Sequence, residues 1–181
     1  PVNYRHAFHA GNFADVLKHV VLMMLVEHLK KKPAPFFYLD THAGRGLYDL
    51  SEAQAQRSGE YKGGIGRLLE LPASALPPEV AGYVALVRAS AGTGHSAITA
   101  YPGSPSLAAS LLRPQDRAVF CELQRVEAKA LTTELTGVRN AQGDMCRYPR
   151  HDAKIYPCNE DERDRAIAAE IQVHARRLRG L

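Results

Sequence analysis

The residues Leu39-Asp40-Thr41-His42-Ala43-Gly44-Arg45-Gly46 combine an acid with two closely spaced glycines, directly after the apolar run Pro35-Phe36-Phe37-Tyr38. The apolar run predicts a buried strand whose end carries the carboxylate. Gly44 and Gly46 permit a tight turn and close approach of backbone to a ligand. A strand, an acid and a glycine turn in that order commonly hold a nucleotide-like cofactor in doubly wound α/β folds. Glycine pairs also occur in ordinary turns; the neighbouring residues set this one apart.

A second group of chemically able side chains lies at the N-terminus. Tyr4-Arg5-His6-Ala7-Phe8-His9-Ala10-Gly11-Asn12 is followed by Asp15-Val16-Leu17-Lys18-His19, which packs three histidines into one short stretch. Any one of these histidines, taken alone, is more often a surface or capping residue than a functional one. No Cys pair and no His-x-x-x-His spacing supports a closed zinc site. Asn12 can cap a helix in which Val16, Val20, Met23, Met24 and Leu25 recur at helical spacing. That helix should run to about Lys30, ahead of Pro33. It puts Asp15 and His19 on one face, four residues apart.

The elements that must position these groups can be outlined. Arg117-Ala118-Val119-Phe120-Cys121 is the next strand candidate, and it ends at Glu122. In a dinucleotide-binding unit the ribose-binding acid follows the glycines by about 20 residues. Here Gly46 and Glu122 are 76 positions apart, which predicts an insert. Its periodicities are helical. Tyr61 to Leu71 carries Ile65, Leu68 and Leu69 on one face, and Pro77-Pro78-Glu79 opens a helix bearing Val80, Val84 and Val87. Gly92-Thr93-Gly94 breaks the chain, and Tyr101-Pro102-Gly103-Ser104-Pro105 reads as a turn into a helix from Ser106 to Leu112. Residues 36–41 and 117–122 are therefore expected to be adjacent parallel strands, with 50–112 mostly helical.

Five motifs stand in one order: Tyr-Arg-His-x-Phe-His-Ala-Gly-Asn at 4–12, Asp-Val-Leu-Lys-His at 15–19, Tyr-Leu-Asp-Thr-His-Ala-Gly at 38–44, Gly-Glu-Tyr at 59–61 and Tyr-Pro-Gly-Ser-Pro at 101–105. From about Asn3 to about Asn140 the chain closely resembles the bacterial RlmJ family. Members are S-adenosylmethionine-dependent methyltransferases acting on adenine N6 of 23S ribosomal RNA. The resemblance implies an α/β fold, a Rossmann-like methyltransferase core, incomplete here, interrupted by a small inserted helical subdomain. It divides the chain into 1–48 (N-terminal motif, helix and first strand), 49–112 (the insert), 113–145 (continuation of the core) and 146–181 (an atypical segment ending in a helix).

The resemblance also implies roles. The turn from His42 to Gly46, with Gly44 inside it, would cradle the amino-acid end of S-adenosylmethionine. Glu122 would accept hydrogen bonds from both ribose hydroxyls, a charge-assisted contact. His19, His42 and Ser104 would be further cofactor contacts, and Asp144 would face the adenine. By residue type alone, Glu122 is equally a solvated strand-end acid and Asp144 a loop acid. Tyr4, His6 and Lys18 would meet the RNA, with Lys18 neutralising phosphate and Tyr4 meeting a base or ribose. The implied partner is 23S ribosomal RNA, protein-free or early in assembly. The implied protein is a cytoplasmic monomer without metal or membrane attachment.

After about Asn140 the chain departs from the family. Adenine-N6 methyltransferases carry an Asp-Pro-Pro-Tyr or Asn-Pro-Pro-Tyr loop that accepts the amino hydrogens and stacks an aromatic on the extruded base. No such tetrapeptide occurs in these 181 residues, whose Tyr-Pro pairs at 101–102, 148–149 and 156–157 lack the acid-proline-proline order. No catalytic residue is therefore assigned, and these residues alone are expected to transfer no measurable methyl group. Asn159 as cap, Glu160, Asp161 and Glu162 behind it, and Arg176, Arg177 and Arg179 before Gly180 predict a closing helix. Two other functions fit this departure: a truncated or frame-shifted remnant that binds cofactor or RNA without catalysis, and a basic nucleic-acid-binding module.

Composition narrows the classes only a little. A hydrophobic content of 45% with 23% charged residues is that of an ordinary globular protein, and a net charge of +4 favours an anionic partner. A nicotinamide-dependent oxidoreductase is disfavoured, because Asp40-x-x-x-Gly44-x-Gly46 does not supply Gly-x-Gly-x-x-Gly. Cys121, Cys146 and Cys158 are odd in number and widely spaced, so reduced thiols are expected. The longest apolar run, Val20 to Val26, is too short to span a bilayer, and no secretory signal is visible.

Overall fold

The structure is a computed structural model that describes residues 5–91, 98–136 and 154–157, together with Arg165, Ala168 and Ala169. A 3-10 turn at His6–Phe8, one of two among the described residues with that at Ala73–Ala75, leads to α1 (Phe13–Lys30), then β1 (Phe37–Asp40), the glycine turn and β2 (Leu47–Asp49). Next come α2 (Ala53–Ser58), a π-helical turn (Lys62–Gly66) running into α3 (Arg67–Leu69), and α4 (Pro78–Ser90). β3 (Ala100–Pro102), α5 (Ser104–Leu111), β4 (Arg117–Glu122), α6 (Arg125–Thr136) and β5 (Lys154–Pro157) follow. No described helix is long and apolar enough to cross a membrane.

α1 begins where its sequence predicts. The Asn12 side chain accepts a hydrogen bond from the Asp15 amide at 3.0 Å, satisfying one of the donors left open at a helix start. Its inward face is Asp15, His19, Met23 and Val26. Met24 and Leu25, expected among the packed apolar repeats, are instead 50% and 58% exposed. Spacing alone could not choose between these faces, since Phe13 and Leu17 make the outer one just as apolar and are exposed too.

β1 and β4 are adjacent and parallel, with Phe37 beside Arg117 and Asp40 beside Phe120. Their starts are aligned by a polar clamp. Asp116 accepts from the Phe36 amide at 3.1 Å and from the Arg113 guanidinium at 2.9 Å. Arg113 in turn donates to the carbonyls of Lys30, Lys32 and Ala34. One arginine thus ties the loop after α1 to the entry of β4. Two apolar clusters flank the site. Met23, Tyr48, Ile65, Tyr83, Val87 and Tyr101 join α1 to α4 and the β2–β3 pair. Ala108, Ala109, Ala118, Phe120 and Leu131 pack β4 against α5 and α6.

Four features depart from the expectations. First, the stretch 50–112 is not wholly helical. Tyr101-Pro102, expected in a turn, lies in β3, which pairs antiparallel with β2, Tyr48 beside Tyr101. The partners are separated by some fifty residues, so no local periodicity announces the pair. Second, Tyr61 to Leu71 is not one regular helix. Gly64 has φ −108° and ψ −108°, which kinks the segment. A side chain at Gly64 would overlap the backbone of Gly11, Asn12 and Phe13, and the Ile65 amide reaches the Gly11 carbonyl at 2.9 Å. Glycine is needed here because two backbones touch. Third, α5 starts at Ser104, two residues earlier than expected, with Pro105 in its first turn. Fourth, the sheet reaches past residue 145. β5 pairs parallel with β4, completing the order β1-β4-β5 inside the segment expected to be atypical. Gly92-Thr93-Gly94, Asp144 and nearly all of the expected closing helix lie outside the described residues.

Candidate functional site

The glycine turn is held from both sides. Gly44 and Gly46 have φ of 70° and 82°, a region open to glycine at little cost. The Gly44 amide donates to Glu122 Oε2 at 2.8 Å, and Glu122 Oε1 accepts from the Gln124 amide at 2.7 Å. The Gly46 carbonyl accepts from the Gly103 amide at 2.6 Å and from Ser106 Oγ at 2.8 Å. A methyl group at Gly44 would overlap the Tyr48 hydroxyl. Arg45 leaves the turn to grip Glu127 of α6 with two parallel hydrogen bonds, at 2.7 and 3.1 Å. Such bidentate pairing is strong and fixes geometry.

Asp40, at the end of β1, organises the same region. Its carboxylate accepts from the His42 amide at 3.1 Å, from Ser104 Oγ at 2.7 Å and from the Tyr38 hydroxyl at 3.2 Å. Burial first, and then the neighbouring Asp40 charge, push the Tyr38 hydroxyl well above its ordinary value. Tyr38 therefore stays a donor.

On the α1 side, Asp15 is 1% exposed and serves three donors. His6 Nε2 reaches it at 2.8 Å, Lys18 Nζ at 3.0 Å and the Gly11 amide at 3.2 Å. Burial alone would raise the Asp15 carboxyl. The His6 hydrogen bond and charge, the His19 charge and the Lys18 hydrogen bond outweigh it and hold the group at about 2. The His6 ring stands edge-on to Tyr48, with centroids 5.1 Å apart. Glu60, from the Gly-Glu-Tyr motif, accepts from His9 Nδ1 at 3.0 Å and from the Asn12 side chain at 2.9 Å. Glu60 thereby latches the N-terminal segment beside α1.

These walls enclose one cleft of about 790 Å³, a size suited to a small-molecule site. His6, Lys18, His19, His42, Gly44, Ser104 and Glu122 all line it. They come from four separate stretches of sequence, and the fold brings them together. Tyr4 and Asp144 lie outside the described residues. Sequence reasoning singled out Asp40 as the strand-end acid without its partners, and missed Asp15 and Tyr48. Asp15 had one usable signal, its helical register with His19. Tyr48 had none, because an aromatic after a glycine turn is ordinary.

His19 is 5% exposed, and its imidazole is lowered from 6.5 to about 4. Burial is the main cause; the Asp15 charge opposes it, while His6 and Lys18 add to it. A folded value below the unfolded one means that stability is present above pH 6.5 and lost as pH falls through 4. The difference corresponds to about 3 kcal/mol. Asp15 adds a second loss between 3.8 and about 2, with the same sign. Thermal unfolding followed from pH 7.5 down to 4.5 should therefore show stability falling before the Asp15 carboxylate titrates. His19→Gln should flatten that decline. A midpoint constant over this range would mean that His19 is not held neutral.

The profile of the family described as ribosomal RNA large subunit methyltransferase D, RlmJ, matches residues 33–152. Ribosomal RNA large subunit methyltransferase J of Haemophilus influenzae is 46% identical over 139 residues, covering 77% of this chain and 48% of that protein. The protein of the same name from Escherichia coli is 45% identical over 133 residues, covering 74% and 46%. A crystal structure of a Legionella pneumophila protein superposes with a TM-score of 0.64 at 37% identity, over 82% of this chain and 48% of that one. The chain thus spans about half the length of the relatives it matches. By the extent of the profile match and the identity to these relatives, the chain belongs to the RlmJ family of ribosomal RNA large subunit methyltransferases.

Proposed function

We propose that the cleft binds S-adenosylmethionine and that the chain serves an adenine-N6 methyltransferase of 23S ribosomal RNA. One observation carries this reading: His19, His42, Gly44, Ser104 and Glu122 converge on a single cleft beside a glycine turn. The donor set suits the cofactor. Glu122 supplies an anionic acceptor for a ribose diol, and it is only 8% exposed. His19, His42 and Ser104 supply donors for an amino-acid carboxylate, and Gly44 leaves the backbone bare where a ligand would come closest. When bound, S-adenosylmethionine supplies an electrophilic methyl group. The chain's own residues bind and orient it, and the hydrogen bond from Gly44 to Glu122 keeps cradle and ribose acceptor in one fixed relation.

His6 and Lys18, which line the same cleft, are assigned to the RNA, as is Tyr4, while Asp144 is assigned to the adenine of the cofactor. Residues 49–112 are assigned as an inserted helical subdomain on a Rossmann-like core. The substrate is 23S RNA, protein-free or early in assembly, met by a monomer in the cytoplasm. Orientation of the target base belongs to an Asp-Pro-Pro-Tyr loop, which these 181 residues do not include.

Calorimetric titration of the chain with S-adenosylmethionine and S-adenosylhomocysteine tests the reading. Saturable binding of both, with no response to NAD, is expected; absence of heat with either would remove it. Lys18 offers a separate test on the RNA side. Its side chain is 66% exposed although it touches Asp15, so Lys18→Ala should change stability by less than about 1 kcal/mol. RNA affinity should fall, and the slope of its salt dependence should drop by about one. If the variant unfolds while its RNA binding per folded molecule is unchanged, Lys18 is structural.

A further inference from the structure

A file of buried polar groups runs from the cleft into the apolar cluster between α1 and α4. His19 Nδ1 lies 2.9 Å from the Tyr101 hydroxyl, which lies 2.8 Å from the Tyr83 hydroxyl. Tyr83 and Tyr101 are both fully buried. The His19 ring stacks on Tyr101 with centroids 5.6 Å apart and planes at 23°.

Where the hydrogens sit follows from counting donors and acceptors. Consider His19 Nδ1–H donating to Tyr101. Tyr101 then either donates to Tyr83 or accepts from it, and either way one phenol hydrogen has no acceptor among the described residues. A buried donor without a partner is costly. In the opposite direction Tyr83 donates to Tyr101, Tyr101 donates to His19 Nδ1, and only a lone pair is left over. Each bond also polarises the next. This direction makes Nδ1 the acceptor and places the ring hydrogen on Nε2. His19 lines the cleft, and Nε2 is the nitrogen left to serve it.

We propose that Tyr101, backed by Tyr83, is a positioning residue that fixes His19 as its Nε2–H tautomer, so that the imidazole donates to the carboxylate at the cofactor's amino-acid end. The proposal rests on the cofactor reading above. It gives the first residue of the Tyr-Pro-Gly-Ser-Pro motif a task, and it links the helical insert to the cofactor cleft through two hydroxyls. Burial holds the His19 imidazole down at about 4, so the doubly protonated ring, which would erase the distinction between its nitrogens, is not formed at neutral pH. Neither hydroxyl ionises there, because burial raises both well above the ordinary tyrosine value.

The test joins nitrogen NMR of the histidine rings in the 181-residue chain to calorimetry with S-adenosylmethionine. The unaltered chain should show a bare Nδ1 and a protonated Nε2 at His19. Tyr101→Phe should mix or invert that pattern and weaken binding about five- to tenfold, the loss expected for a misdirected hydrogen bond to a charged group. Tyr83→Phe keeps the direct partner of His19 and should retain the tautomer. An Nδ1–H tautomer in the unaltered chain would overturn the proposal even should Tyr101→Phe fail to fold. Unchanged affinity in a folded Tyr101→Phe would overturn it as well, leaving the cofactor reading intact. No binding by the unaltered chain would instead defeat that reading, and this proposal with it.

Discussion

Asp15→Ala is expected to lower stability by about 2–3 kcal/mol, since a hydrogen bond to a charged group contributes about 1.5–3 kcal/mol and a buried donor left without its acceptor costs about 1–3 kcal/mol. The carboxylate is 1% exposed and is the shared acceptor of His6, Lys18 and the Gly11 amide. The truncation leaves the Gly11 donor inside without its acceptor and removes a negative charge from the positive end of α1. The loss is a large fraction of the 5–15 kcal/mol that holds a typical domain together. Asp15→Asn keeps the shape and one acceptor oxygen and should lose clearly less. Urea denaturation of both variants at pH 7 checks this. A loss under about 1 kcal/mol for the alanine variant would show that water replaces the carboxylate and that the turn before α1 stands without it.

Glu122→Ala is expected to weaken S-adenosylmethionine binding at least tenfold. Two causes act together. Glu122 is the anionic acceptor placed for the ribose diol, and a hydrogen bond to a charged group contributes about 1.5–3 kcal/mol, where about 1.4 kcal/mol is a factor of ten. It also holds the Gly44 amide at 2.8 Å, so its loss frees the cradle. Glu122→Gln separates the two, since an amide oxygen can still accept from Gly44 while the charge is gone. The glutamine variant should therefore bind with intermediate affinity. A dissociation constant that does not move in the alanine variant would take Glu122 out of the cofactor site.

What was legible in the sequence was whatever has a local cause. The Asn12 cap and the stop near Lys30 follow from side chain–backbone chemistry within a few residues, and α1 occupies Phe13–Lys30. The apolar runs before Asp40 and Glu122 identify two strands, and the long gap between them is the crossover that parallel neighbours require. The five motifs supplied the family. His6, Lys18, His19, His42, Gly44, Ser104 and Glu122 were all singled out, most of them through the family resemblance, and they share one cleft.

Only the tertiary structure decided which of these groups meet and what holds them. Tyr48 pairs with Tyr101, 53 residues further along the chain, and β5 adds a third parallel strand. Gly64 kinks a helix because the backbone of Gly11 to Phe13 passes against it. Asp15, which sequence reasoning left without a role, gathers His6 and Lys18. Asp40 reaches Ser104, 64 residues away. Most of these depend on partners distant in the chain. The energy lies in burial and in satisfying polar groups that burial strips of water, and neither leaves a trace in the periodicity of a short segment.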